Sequence, residues 1–244
     1  MKPEQLLYKR LLKMKKAIKR VIIKFWKEWG INILIAVLIA TSFKSVIADW
    51  NDVPTGSMKP TILEGDRVFV NKLAYDLKIP YTTIHIATWD HPDRGDIIVC
   101  FSPTDGTRLV KRVIGIPGDI LHMQENQLYI NDQPVEYKRI TPTVRMQYDQ
   151  DIPHHGVIFE EVLPGKKHAV MFMPQYLSGK SFGLIQIPED KYFLMGDNRD
   201  DSADSRYFGL VDRKAIVGKA SAIVLSRKNS FLHPRWNRFF STLN

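Results

Sequence analysis

Two hydrophobic periodicities divide this chain. Leu7, Leu11, Met14, Ile18, Ile22, Phe25 and Trp29 recur at helical spacing with lysines between them. That is the pattern of an amphipathic helix with one apolar stripe. Ile31–Phe43 follows as thirteen residues without a charge. The run is shorter than the roughly 20 residues of a membrane span. However, Lys44 near its end can snorkel, and Trp29 and Trp50 bracket it as interfacial aromatics do. At about 1.5 Å per helical residue the two tryptophans stand roughly 33 Å apart, close to the ~30 Å hydrocarbon core. The pattern therefore predicts a basic membrane-surface segment over 1–29 and a transmembrane helix over 30–50.

Beyond residue 50 the helical period gives way to short β-rich runs: Arg67–Val70, Asp96–Phe101, Arg108–Gly115, Gln127–Ile130, Lys191–Met195 and Ile216–Leu225. Turn signals separate them, among them Glu64-Gly65-Asp66, Arg94-Gly95-Asp96, Pro117-Gly118-Asp119 and Asn131-Asp132. Gln127–Ile130 and Pro134–Tyr137 read as a hairpin around Asn131-Asp132. The expected fold is mostly β, folded-over antiparallel sheets or a partial barrel, preceded by the amphipathic and transmembrane helix. The β-domain takes 51–137 and 188–225. Residues 138–187 are less regular and read as an insertion or small second lobe, and 226–244 as a C-terminal tail. His154, His155 and His168 lie in the less regular part. Adjacent histidines cannot both face one metal from a strand, so these read as surface residues.

Charge sharpens the picture. Residues 1–29 carry ten Lys/Arg against Glu4 and Glu28, so +8 of the net +9 sits there and 30–244 is close to neutral. A nucleic-acid partner is therefore not expected; an anionic lipid bilayer is, with a solvated basic tail as the plainer rival. The same charge asymmetry puts the N-terminus in the cytoplasm and the β-domain on the outer side. The basic region, short apolar core and Val46-Ile47-Ala48 also fit a cleavable signal peptide, although the basic region is long for one. Cys100 is the only cysteine. It excludes an intrachain disulfide and reads as a buried small hydrophobe.

Candidate chemistry begins at Pro54-Thr55-Gly56-Ser57-Met58-Lys59-Pro60-Thr61, a serine on a Gly/Pro-rich turn. A serine hydroxyl needs a partner to take its proton. No histidine stands in a convincing motif, and the Gly-x-Ser-x-Gly elbow is absent. That leaves lysine, if its pKa falls toward working pH. Lys59 is close in sequence but badly placed to meet Ser57 end to end. Lys111 lies in Leu109–Gly115, where strand alternation puts Leu109, Lys111 and Val113 on one face and Arg112 on the other. An amine among apolar side chains is desolvated and its pKa falls. On strand pattern alone, a lysine that snorkels to water is the plainer reading. Gly196–Arg206 is dense in polar groups. A Ca²⁺ loop fits poorly, because Arg199 occupies the third ligand position and no glycine the sixth. A turn cross-tied by carboxylate–arginine pairs fits better.

Taken together, Pro54–Thr61, Gly95–Val99, Val110–Asp119 and Gly196–Gly209 resemble the bacterial type I signal peptidases, the leader peptidases with a serine–lysine dyad. Their order, after an apolar segment, also matches; the resemblance covers roughly 40–120 and 190–225. It implies a serine endopeptidase in the bacterial inner membrane with Ser57 as nucleophile and Lys111 as general base. Ser202 would orient the lysine amine, and the Thr55 hydroxyl and Ser57 N–H would form the oxyanion hole. Asp197, Asp204 and Arg206 would brace the site. Asp201 stands where asparagine is common and would favour the protonated amine. No metal or cofactor is needed. The implied partners are secretory preproteins with small residues before the cut, bound as an added β-strand by a monomer. Alternatives are a peptidase specialised for one secreted or conjugative substrate, and an inactive membrane-tethered peptide-binding module. A self-cleaving soluble regulator is disfavoured, because no DNA-binding region is apparent.

Overall fold

The computed structural model describes residues 3–79, 82, 84–140, 152, 156–175, 181–228 and 233–243. Two compact units make it up, Met1–Ser45 and Val46–Asn244. His154 and His155 lie outside the described residues.

The first unit is one continuous helix, α1 (Pro3–Val46). Met14, Ile18, Ile22, Phe25 and Trp29 are each more than half exposed on it, so this part of the apolar stripe is not covered by the described residues. The expected span over 30–50 is corrected. Among the described residues no helix is long and apolar enough to cross a membrane. The uncharged run amounts to only about 20 Å of helix. The helix also stops before Trp50, which lies in a strand opposite Phe69 rather than at a helix end. The inside–outside topology drawn from that span loses its structural element with it.

The second unit is built on strands β1 (Ala48–Asp52), β2 (Asp66–Asn71), β3 (Asp76–Lys78), β4 (His85–Thr88), β5 (Ile97–Phe101) and β6 (Arg108–Gly115). There follow β7 (Ile120–Gln124), β8 (Gln127–Ile130), β9 (Gln133–Pro134), β10 (Glu136–Arg139), β11 (Val157–Leu163) and β12 (Lys166–Phe172). The last are β13 (Phe182–Gln186), β14 (Lys191–Met195), β15 (Val211–Asp212), β16 (Ile216–Ser226) and β17 (Ser241–Thr242). The largest sheet runs β1-β2-β16-β5-β6-β14-β15, with β17 on β16, all antiparallel. Register shifts at Ala220/Ala222 and Ile223/Leu225 interrupt β16. Such bulges add twist and bend a strand, and the sheet curls into a half-barrel.

The core follows from alternation. Val68 and Val70 on β2 and Ile97 and Val99 on β5 pack with Val110, Met58 and Ile62. Ile98, Cys100, Val113 and Leu194 form a second cluster. Leu121, Leu128, Phe193 and Ile114 form a third. From Val110 onward β6 is buried on both faces, which is why a lysine and an arginine in it leave the solvent. The expected hairpin forms: β8 pairs β9, with Asn131 (φ 52) and Asp132 (φ 61) both left-handed, as a two-residue hairpin turn needs. Past Val135 the chain leaves it, and β10 joins β11 and β12 in a three-stranded sheet. His168 on β12 is buried, not a surface histidine.

Candidate active site

Ser57 sits on the turn between β1 and β2. Met58 and Ile62, both at 0% exposure, anchor that turn in the core, and Ile62 N–H donates to the Met58 carbonyl. Lower down, the Arg238 guanidinium donates to the Thr61 carbonyl (2.9 Å) and to buried Asp66 (2.7 Å). Ser57 is left half-buried, between two fixed neighbours.

Lys111 comes from β6, opposite Ile98 on β5. Its Nζ donates to Ser57 Oγ at 2.7 Å. The side chain is 3% exposed, so it does not snorkel. Burial pushes its pKa below 10.5, against the opposing pull of Asp204 and Asp197. Asp204 and Asp197 are the carboxylates that act on it, whereas Asp201 is exposed. Arg112 points the other way along β6 and closes a two-pronged contact on Asp197, 2.8 Å on each side. Burial works to raise Asp197, but Arg112 and the hydrogen bond from Thr61 hold it below its ordinary value.

The polar run after β14 wraps behind the serine. Gly196 N–H donates to Asp204, whose carboxylate also takes a forked contact from Arg206 (2.8 and 2.9 Å). Asp200 accepts from Met173 N–H. These pairs consume the carboxylates that a cation loop would need. Thr55 is exposed on the Ser57 turn. Ser202 is buried, but its hydroxyl finds no hydrogen-bond partner among the described residues; the lysine amine is held by Ser57. Ser202 Oγ and the Ser57 carbonyl both crowd Gly196, where an added Cβ would stand 2.3 and 2.4 Å from them. Lys59 turns away to Glu64 (3.4 Å). Cys100 is fully buried and its thiol is pushed up to about 12 by burial, consistent with a packing role.

Three features had no sequence signal. Asn198 bonds the backbone on both sides of Ser57: its N–H donates to the Ser57 carbonyl and its Nδ2 to that of Gly56, each at 3.1 Å. Glu161 and Arg199 form a fully buried forked pair (2.5 and 2.6 Å). Burial alone would raise Glu161, but Arg199 and His168 hold it well below the carboxylate range. Met171 on β12 bonds the main chain at Asp197 and Arg199 (2.8 and 2.9 Å), fastening the polar run to the three-stranded sheet.

A serine hydroxyl bonded to a desolvated amine, on a turn fixed from behind, can be deprotonated by that amine when it is neutral. Comparison with known proteins points the same way. The sequence model of the signal peptidase family, peptidase S26, matches residues 26–225. A signal peptidase I of Rickettsia bellii is 35% identical over 226 residues, covering 83% of this chain and 74% of its own. That of Rickettsia rickettsii is 31% identical over 238 residues (89% and 85%), and that of Pseudomonas fluorescens 30% over 211 (82% and 72%). A crystal structure of a signal peptidase I from Enterococcus faecalis is 27% identical and superposes over 55% of this chain and all of its own, with a TM-score of 0.33, too low to add to the argument. On the family match and these relatives, the chain belongs to peptidase S26 and is a serine peptidase of the signal peptidase I type, an enzyme that removes signal peptides.

Proposed function

We propose that this enzyme works at a membrane surface through a Ser57–Lys111 dyad and an acyl-enzyme. The observation that carries this reading is the 2.7 Å contact between Lys111 Nζ and Ser57 Oγ, with the amine buried. Neutral Lys111 takes the Ser57 proton as Oγ attacks the carbonyl carbon at the signal-peptide junction. The oxyanion is met by Ser57 N–H and the Thr55 hydroxyl, each donor worth roughly 3–4 kcal/mol in other serine enzymes. As the intermediate collapses, Lys111 gives the proton to the leaving amine. The same lysine then deprotonates water, which hydrolyses the ester. Asp197, Asp204 and Arg206 brace the site, and Ser202 approaches it across Gly196.

The substrate is a secretory preprotein with small residues before the cut. It adds as a strand beside β1, which ends the sheet and leads into the Ser57 turn. Membrane attachment rests on α1, whose exposed apolar residues alternate with lysines and suit an anionic bilayer surface. The intact Ser57–Lys111 contact argues against an inactive peptide-binding module. The test is to quench full-length protein with a signal-junction peptide and map the adduct by mass spectrometry. An ester on Ser57 supports the reading, and an adduct elsewhere, or turnover without one, rejects it.

A further inference from the structure

Asn198 is 1% exposed and holds the two peptide planes that flank Ser57. Its main-chain N–H fixes the plane after the serine, through the Ser57 carbonyl. Its side chain fixes the plane before it, through the Gly56 carbonyl. In a trans peptide the C=O and the following N–H point in opposite directions within one rigid plane. The Gly56–Ser57 bond is trans. Fixing the Gly56 oxygen therefore aims the Ser57 N–H the other way.

Gly56 O accepts from Asn198 Nδ2 (3.1 Å) and Lys59 N–H (3.0 Å), which fills both lone pairs on that side. Ser57 N–H donates to no acceptor among the described residues. Asn198 Oδ1 is buried and has no partner among the described residues, so the bond to Gly56 is what occupies this buried amide. Its own backbone is held in turn, because Met171 bonds the main chain at both neighbouring residues.

We infer that Asn198 is a positioning residue for the oxyanion donor: it acts on the transition state through the Gly56–Ser57 peptide plane and touches no substrate. The inference rests on the proposed role of Ser57 as nucleophile and donor. It adds a specific consequence, since a donor aimed at the oxyanion serves the transition state more than the bound substrate.

The experiment uses full-length protein and a signal-junction peptide, comparing wild type with Asn198→Ala. A misaimed group costs on the order of 10²-fold in rate, so kcat is expected to fall about 10- to 100-fold. KM and the pH midpoint of the acidic limb stay in place, because the Ser57–Lys111 contact does not involve Asn198. Affinity for a peptide aldehyde, whose carbon bonds Ser57 Oγ to give a hemiacetal oxygen at the oxyanion position, falls in parallel with kcat. Binding of the uncleaved peptide to Asn198→Ala on a Ser57→Ala background matches binding to Ser57→Ala alone. If Asn198→Ala does not fold, the near-isosteric Asn198→Asp carries the test, since it keeps the main-chain bond and loses the Nδ2 donor. Unchanged kcat in a folded variant, or a loss confined to KM or to the pH midpoint, overturns the inference. If Ser57→Ala itself keeps turnover, the nucleophile assignment fails first. An inactive Ser57→Ala beside a fully active Asn198→Ala sinks the positioning role alone.

Discussion

Lys111 Nζ reaches Ser57 Oγ at 2.7 Å across 54 residues of chain, while Lys59, two positions away, pairs with Glu64 at 3.4 Å instead. Proximity in sequence and in space are thus reversed for the two lysines. Ser57→Ala and Lys111→Ala are each expected to abolish preprotein cleavage, and Lys59→Ala to keep most of it. The measurement is turnover of a purified preprotein by each folded variant. Retained turnover in Lys111→Ala rejects the dyad.

Gly196 is the tightest point behind the serine. An alanine Cβ would meet the Ser57 carbonyl at 2.4 Å, and that oxygen belongs to the backbone of the turn itself. A backbone atom cannot swing aside as a side-chain tip does, so Gly196→Ala must displace Ser57. A shift of about 1 Å can cost on the order of 10²-fold. Cleavage by Gly196→Ala is expected to drop at least that far. Near wild-type kcat would mean that the turn tolerates movement.

The Glu161–Arg199 pair should dominate the stability of the polar run. Both groups are fully buried, with Tyr137 OH adding a 2.8 Å bond to Glu161. Removing one partner of a buried pair costs about 3–5 kcal/mol, because the other charge is left uncompensated. In a protein of this size each kcal/mol is worth roughly 2–4 °C. Glu161→Gln is therefore expected to lower the unfolding midpoint by roughly 6–20 °C at neutral pH. A shift below about 2 °C would leave the pair without structural weight.

Much of this was legible in the chain, and the limits are physical. Strands β5, β6, β8, β14 and β16 lie within a residue or two of where β-rich runs and turn signals place them, because their alternation is strong and their ends are punctuated. Lys111 and Arg112 face opposite sides as period two requires. β1 was not legible, since Trp50 fits an interfacial anchor as well as a strand. Asn198 and Glu161 carry no local signal: each acts on a partner brought in by tertiary structure, Glu161 on Arg199 38 residues away. Ser202 lies beside the site, yet its hydroxyl makes no hydrogen bond among the described residues, while the lysine amine bonds Ser57.

Lys111 should also leave a mark on stability. Its folded pKa is depressed by burial from 10.5, so between the folded and unfolded values the unfolded chain binds more protons. Stability from this group thus rises with pH across that window, and below the folded pKa the buried charge is a net cost. Lys111→Met is expected to unfold at a higher temperature than wild type at neutral pH, with the gap narrowing as pH climbs toward 10.5. Unfolding midpoints measured across pH decide it, and a pH-independent gap counts against a titrating buried amine.

The titration of Lys111 itself is the most direct measurement, read by ¹³C NMR at its Cε alongside the pH dependence of kcat/KM. The expected result is a lysine that titrates below 10.5, with cleavage rising through the same midpoint as the amine becomes neutral. A Lys111 that titrates at the ordinary lysine value, or an activity profile flat between about pH 6 and 9, contradicts the lysine as general base.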